Sequence, residues 1–132
     1  MNYILGGADL NTRVIIIGAV GAMCIEATRD LIETSGYAEF MLADMNIEKC
    51  DQLKSEYKDK NIKTMKLNAT DYNAVLSAIK GYDFVMNGLA FGIAEPTIKA
   101  CMEAKIPNTN LDDFPKDYYY DGFEKADTLC VS

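Results

Sequence analysis

Val14-Ile15-Ile16-Ile17-Gly18-Ala19-Val20-Gly21-Ala22-Met23-Cys24 is the stretch on which the reading of this chain turns. Four β-branched residues in a row make a short strand whose two faces are both apolar, as in a strand buried on both sides of a parallel sheet. Gly18 then breaks the run, Gly21 follows three residues on, and a helical pattern begins. A second apolar run, Phe40-Met41-Leu42-Ala43, ends in an acid, Asp44, at about the twenty-residue spacing expected of a strand–turn–helix–strand unit that binds a dinucleotide. In such a unit a pyrophosphate approaches backbone N–H groups where the helix starts. The acid accepts hydrogen bonds from a ribose diol.

Working outward, strand and helix patterns alternate. Arg13 to Ile17 is the first strand. Gly21 to Thr34 reads as a helix with Cys24, Ile25, Ala27, Thr28, Leu31 and Ile32 inward, and Glu26, Arg29, Asp30 and Glu33 outward. Gly36 ends it. Ala38 to Ala43 is the second strand. Asn46 is the N-cap of a helix that packs Ile47, Cys50, Leu53 and Tyr57. Asn61 to Leu67 alternates Ile62, Thr64 and Lys66 with Lys63, Met65 and Leu67, and so lies nearer a sheet edge than the first strand. Asp71 opens a helix through Lys80 that packs Val75, Leu76 and Ile79, and Gly81 stops it. Tyr82 to Met86 is a fourth strand, broken by Asn87-Gly88. A helix from Pro96, taken as its first residue, runs to Lys105, and Pro107 to Leu111 is a fifth strand. This series predicts an α/β fold: a single Rossmann-like domain with a doubly wound parallel sheet in strand order 3-2-1-4-5. Residues 1–12 form a leader arm and 13–113 the dinucleotide-binding domain. Residues 114–132, with Tyr118-Tyr119-Tyr120 and Phe123, form a loop and short helix that begin a further domain.

Composition narrows the function classes. The chain has 132 residues, 49% hydrophobic and 25% charged, and a net charge of −7. No basic cluster offsets that charge, which argues against nucleic acid and anionic membrane surfaces as partners. No apolar stretch approaches a membrane span, and residues 1–13 lack the basic start and apolar core of a signal peptide. There is no histidine, and Cys24, Cys50, Cys101 and Cys130 are too scattered to suggest a zinc site. Core cysteines fit a reducing, cytoplasmic compartment.

The residues expected to hold the cofactor lie in four places. The turn supplies Gly18, Val20, Gly21, Ala22 and Met23. Its third small position is Cys24, where a glycine is usual. Asp44, Met45 and Asn46 follow the second strand. Asp44 repels a 2′-phosphate and no arginine stands beside it, so the cofactor is expected to be NAD, with NADP the weaker ligand. Asn68-Ala69 follow the third strand, where the Asn68 amide can meet an adenine edge, while Asp71 reads as an N-cap. Asn87, Gly88 and Leu89 follow the fourth strand, at the switch point of the sheet. Asp112 and Asp113 read as solvated surface. No catalytic residue stands out, no metal is implied, and there is no Tyr-x-x-x-Lys pair of the short-chain dehydrogenase kind.

The runs GAVGAMCIEATRDL, LADMNIEKCDQL, LNATDYNAVLSAIKGYDFVMNGL and ACMEAKIPNTNLDD resemble the N-terminal nucleotide-binding domain of the saccharopine dehydrogenase-like family, over Val14 to Asp113. The resemblance implies that Gly18, Gly21, Asp44, Asn68 and Asn87 serve the cofactor. Cys24 departs from the family glycine, and Met45 stands where NADP-using relatives often carry arginine. It also implies an oxidoreductase acting on a small amino-acid-type secondary amine, with a large C-terminal part that carries the substrate site and homodimer contacts. This chain would then be the inactive cofactor half of that enzyme. Two other readings share the glycine turn and the acid: a regulatory NAD-sensing domain like those that gate potassium transport, and an S-adenosylmethionine-dependent methyltransferase. The G-x-G spacing usual in the methyltransferases is missing.

Overall fold

A computed structural model describes residues 11–90, 92–110, 122–126, 128 and 130–131. The expectations for residues 1–10, for Leu111, Asp112 and Asp113, and for the three tyrosines lie outside them. The described strands are β1 (Arg13–Ile17), β2 (Glu39–Asp44), β3 (Ile62–Lys66), β4 (Phe84–Asn87), β5 (Asn108–Asn110) and β6 (Cys130–Val131). They form one sheet in the order β3-β2-β1-β4-β5-β6, and every pairing is parallel. The expected 3-2-1-4-5 order is present, and β6 extends it at one edge.

The helices are α1 (Ile25–Thr34), α2 (Ile47–Ser55), α3 (Tyr72–Ile79) and α4 (Glu95–Ala104). The continuous apolar run of β1 is explained by burial on both faces. Val14 and Ile16 enter one core with Ile32, Phe40, Leu42, Cys50 and Leu53, beneath α1 and α2. Ile15 and Ile17 enter the other with Val75, Ile79, Val85, Ile98 and Cys101, beneath α3 and α4. Phe123, in a helical stretch over 122–125, is buried in this second core. Among the described strands β3 lies at one edge, as its alternation indicates.

The boundaries depart from expectation in ways that matter at the site. α1 starts at Ile25 rather than Gly21, because the Gly21 carbonyl accepts from both Cys24 N–H (3.0 Å) and Ile25 N–H (2.9 Å), closing tight turns before the helix ladder begins. Strand pairing continues through Asp44 on β2 and Asn87 on β4, one residue past the apolar run in each case. α4 opens at Glu95, so Pro96 is its second residue; there too its missing N–H leaves no bond unmade. Asn46 and Asp71 are N-caps, accepting from Lys49 N–H (3.0 Å) and Ala74 N–H (3.1 Å).

Candidate functional site

Parallel strands deliver their following loops to one edge, and β1, between β2 and β4, marks where the chain reverses its direction of travel across the sheet. The β1–α1 turn is built there. Gly18 has φ +76°, and its N–H donates to the Ala43 carbonyl (2.8 Å). A side chain at Gly18 would begin 2.9 Å from Leu89 Cδ2, so glycine is needed for conformation and for room. Gly21 N–H returns to the Gly18 carbonyl (3.1 Å). The N–H groups of Ala22 and Met23 have no hydrogen-bond partner among the described residues, and both residues are exposed. The turn thus presents two free donors immediately before a helix, the arrangement that accepts an anion.

The third small position finds its explanation in the loop after β4, which packs directly against it. A Cβ on Gly88 would lie 2.2 Å from Cys24 Sγ and 2.7 Å from Cys24 Cβ. Gly88 is itself held by its N–H to the Ile17 carbonyl (2.8 Å). The close approach that a glycine in α1 normally permits is achieved here by a glycine on the opposing loop. Cys24 is fully buried, its thiol pushed up by burial despite a contact with Thr28. It packs, with no exposed sulfur for chemistry.

Asp44 closes the turn from the β2 side. Its Oδ2 accepts from Val20 N–H (3.3 Å) and its Oδ1 from Asn46 N–H (2.9 Å). The carboxylate therefore braces the turn, with lone pairs left for a ligand. Val20 is 2% exposed and contributes that N–H rather than a side chain. Asn46 is occupied as the α2 cap.

Between these elements lies a cleft of about 200 Å³ lined by Ile17, Gly18, Asp44, Met45, Leu67, Asn68, Ala69, Thr70, Leu89 and Ile93. It is an apolar slot with a polar rim, the usual constitution of a small-molecule site. The Asn68 amide oxygen accepts from Thr70 N–H (3.1 Å) and Thr70 Oγ1 (2.6 Å), which leaves its NH₂ group to donate outward. Asp44 is the one titratable side chain in the lining. Met23, Met45 and Ile93, exposed at 73%, 55% and 42%, are the large apolar side chains left open to solvent among the described residues, and all three belong to these loops.

Asn87 stands elsewhere. Expected to meet the ligand, its side chain is completely buried: Nδ2 donates to Asn110 Oδ1 (2.9 Å) and to the Ala94 carbonyl (3.3 Å), and Oδ1 accepts from Leu89 N–H (3.3 Å). One amide thus ties both ends of the β4–α4 loop and places Leu89 and Ile93 in the cleft. Ile17, Leu67, Thr70 and Ile93 line the cleft without having been singled out from the sequence. Their signal is position alone: Ile17 ends β1, Leu67 directly follows β3, and Thr70 and Ile93 lie in the loops that lead to α3 and α4. Among the described residues no cluster of potential ligands could hold a metal ion, and no helix is long and apolar enough to cross a membrane.

The geometry is that of a dinucleotide domain, and residues 14–119 match the family described as saccharopine dehydrogenase NADP binding domain. The chain belongs to that family. Among solved structures it resembles apo saccharopine dehydrogenase (L-Glu forming) from Saccharomyces cerevisiae, with a TM-score of 0.72 at 13% identity over 91% of this chain and 26% of that one. Pen from Bacillus thuringiensis gives 0.66 at 18% identity, covering 76% and 36%. AtPrR2 with NADP+ and (+)pinoresinol gives 0.63 at 16%, covering 92% and 49%. At these identities the likeness is one of fold, and the chain spans between about a quarter and a half of each structure. The family places the domain among NAD(P)-dependent oxidoreductases.

Proposed function

We infer that this chain is the cofactor-binding part of an oxidoreductase that forms or cleaves an amino-acid-type secondary amine, and that it works in a cytoplasmic homodimer. The reading is carried by one juxtaposition: the free N–H groups of Ala22 and Met23 at the head of α1, beside an apolar cleft rimmed by Asp44 and Asn68. The turn suits a pyrophosphate, Asp44 a ribose, and the slot beside Met45 and Ile93 a flat adenine ring. The substrate class comes from the family alone. Sequence reasoning favours NAD through Asp44; the family's NADP-binding character and the NADP+ held by AtPrR2 favour NADP, and NADP is the cofactor proposed. When bound, the nicotinamide supplies or accepts the hydride. The chain's own residues bind and orient. Asp44 is the lone titratable group lining the cleft, so turnover by this chain alone is not expected.

Gly21→Val tests the placement. A Cβ at Gly21 meets only the Gly18 carbonyl oxygen, at 3.4 Å, so the variant is expected to fold, which circular dichroism checks. The substitution puts a branched side chain immediately before the two free donors, and calorimetry with NADP+ is expected to show at least about a tenfold loss of affinity, ~1.4 kcal/mol. Unchanged affinity in the folded variant would overturn the placement.

A further inference from the structure

We propose that Lys66 is the cation that receives the 2′-phosphate of NADP, in place of the missing arginine after β2; the assignment rests on the cofactor reading above. The register of the sheet carries it. Asp44 and Lys66 are direct partners on the parallel strands β2 and β3, whose backbones lie about 4.8 Å apart. Side chains alternate along β3. Ile62 enters the core beneath α2, and Thr64 Oγ1 donates to Asp51 Oδ1 on α2 (2.6 Å). Lys66 continues that face, as Asp44 continues the face of Phe40 and Leu42. Lys63, on the opposite face, is paired with Glu39 (3.2 Å). Lys66 is exposed and has no ion-pair partner among the described residues.

The acid beside it is compatible with a phosphate for a physical reason. Both Asp44 oxygens already accept a backbone N–H, so part of the carboxylate's field is cancelled and the group is turned toward the β1–α1 turn. The N–H groups of Ile47 and Glu48, at the start of α2, have no partner among the described residues and add positive potential at the same corner. The charge of a monoester phosphate multiplies its attraction to an ammonium and its repulsion from a carboxylate alike, so distance decides the balance: the exposed Lys66 side chain is free to close on the phosphate, whereas Asp44 is held by its two backbone bonds. A lysine on an exposed edge strand also discourages strand-to-strand aggregation. That role does not distinguish NADP from NAD.

The test uses the full chain and titrates NADP+ and NAD+ by calorimetry into the natural protein, Lys66→Ala, Lys66→Arg and Lys49→Ala. Lys49 lies toward the hollow between α1 and α2, with Ile25, Arg29 and Glu56, and serves as a charge-matched control. Lys66→Ala is expected to weaken NADP+ about three- to tenfold while NAD+ changes by less than about twofold. The NADP+ loss should shrink at high salt, Lys66→Arg should restore affinity, and Lys49→Ala should leave both ligands unchanged. Equal effects of Lys66→Ala on both ligands, or none, would overturn the assignment while leaving the cofactor reading intact. Failure of the natural protein to bind either dinucleotide would overturn both.

Discussion

Gly88→Ala is the substitution whose outcome the packing of the site determines most directly. Gly88 does not have a positive φ, so alanine is allowed by the backbone. In open space the change would stabilise the protein by about 0.4–1 kcal/mol through the unfolded chain. Here the new Cβ would sit 2.2 Å from Cys24 Sγ and 2.7 Å from Cys24 Cβ. Carbon and sulfur need roughly 1.5 Å more than the shorter of these. Neither side yields cheaply, since Gly88 is bonded to the Ile17 carbonyl and Cys24 N–H to the Gly21 carbonyl. Overpacking against two anchored backbones costs about 3 kcal/mol, the upper part of the usual range.

Cys24→Gly removes both obstructing atoms. Alone it forfeits one small buried side chain at a helix N-cap, where glycine is well accepted, for about 1–2 kcal/mol. In the double variant the nearest neighbour left to the new Cβ is the Ile17 carbonyl oxygen at 3.3 Å, which needs a shift of only a few tenths of an ångström. The pair should therefore cost little more than Cys24→Gly alone, a coupling of about 2–3 kcal/mol in a double-mutant cycle. Urea denaturation of the four proteins at a common m-value measures it. Additivity within about 0.5 kcal/mol would refute the idea that Gly88 supplies the room that a glycine at position 24 would otherwise give.

Two further outcomes follow from charge and burial. Burial alone would raise the Glu39 carboxyl, but bonds from Arg13 (3.1 Å), Tyr82 (2.9 Å) and Lys63 (3.2 Å) outweigh it and hold the group below its ordinary range. Its stabilisation is therefore complete above the unfolded value of about 4.3 and lost as pH falls through the lower folded value; Glu39→Gln should cost about 1–2 kcal/mol at pH 7, and the difference from the natural protein should fade toward pH 3 in urea melts, whereas a constant difference would contradict it. Tyr82, pushed up to about 12 by burial and by Glu39, adds a contribution lost as pH rises from its ordinary 10 through about 12. Burial, with Asp44 and Asp51 nearby, pushes the Cys50 thiol up to about 12, and burial raises Cys24 as well. Iodoacetamide at pH 8 should therefore label both at least about a hundredfold faster in denaturant than in the native protein, read residue by residue by mass spectrometry; rapid native labelling of Cys50 would show that the core opens more freely than its packing implies.

What the sequence could disclose follows from whether a residue's role is local. β1 was legible because burial on both faces leaves an unbroken apolar run, and Asn46 and Asp71 because a cap acts within three residues of itself. Asn87 was not. An amide at a strand end reads equally as a ligand contact or an internal tie, and the choice is made by Asn110, on a different strand, which accepts its N–H. The start of α1 was misplaced for a related reason. Gly21 looks like the first helical residue by pattern, yet its carbonyl accepts two N–H groups in a tighter turn, and that frees Ala22 and Met23 to face outward. Cys24 looked like a defect in the glycine pattern because the compensating glycine lies in the loop after β4. Lys66 shows the same limit from the other direction. Its alternation with Ile62 and Thr64 places it on a face, but only the β2–β3 register sets it beside Asp44. A motif read along one strand reports the charge of the acid, whereas cofactor choice depends on the local potential, to which the neighbouring strand contributes at a distance of one sheet spacing. The absence of an arginine next to Asp44 is therefore a weaker argument against a 2′-phosphate than it is in linear sequence.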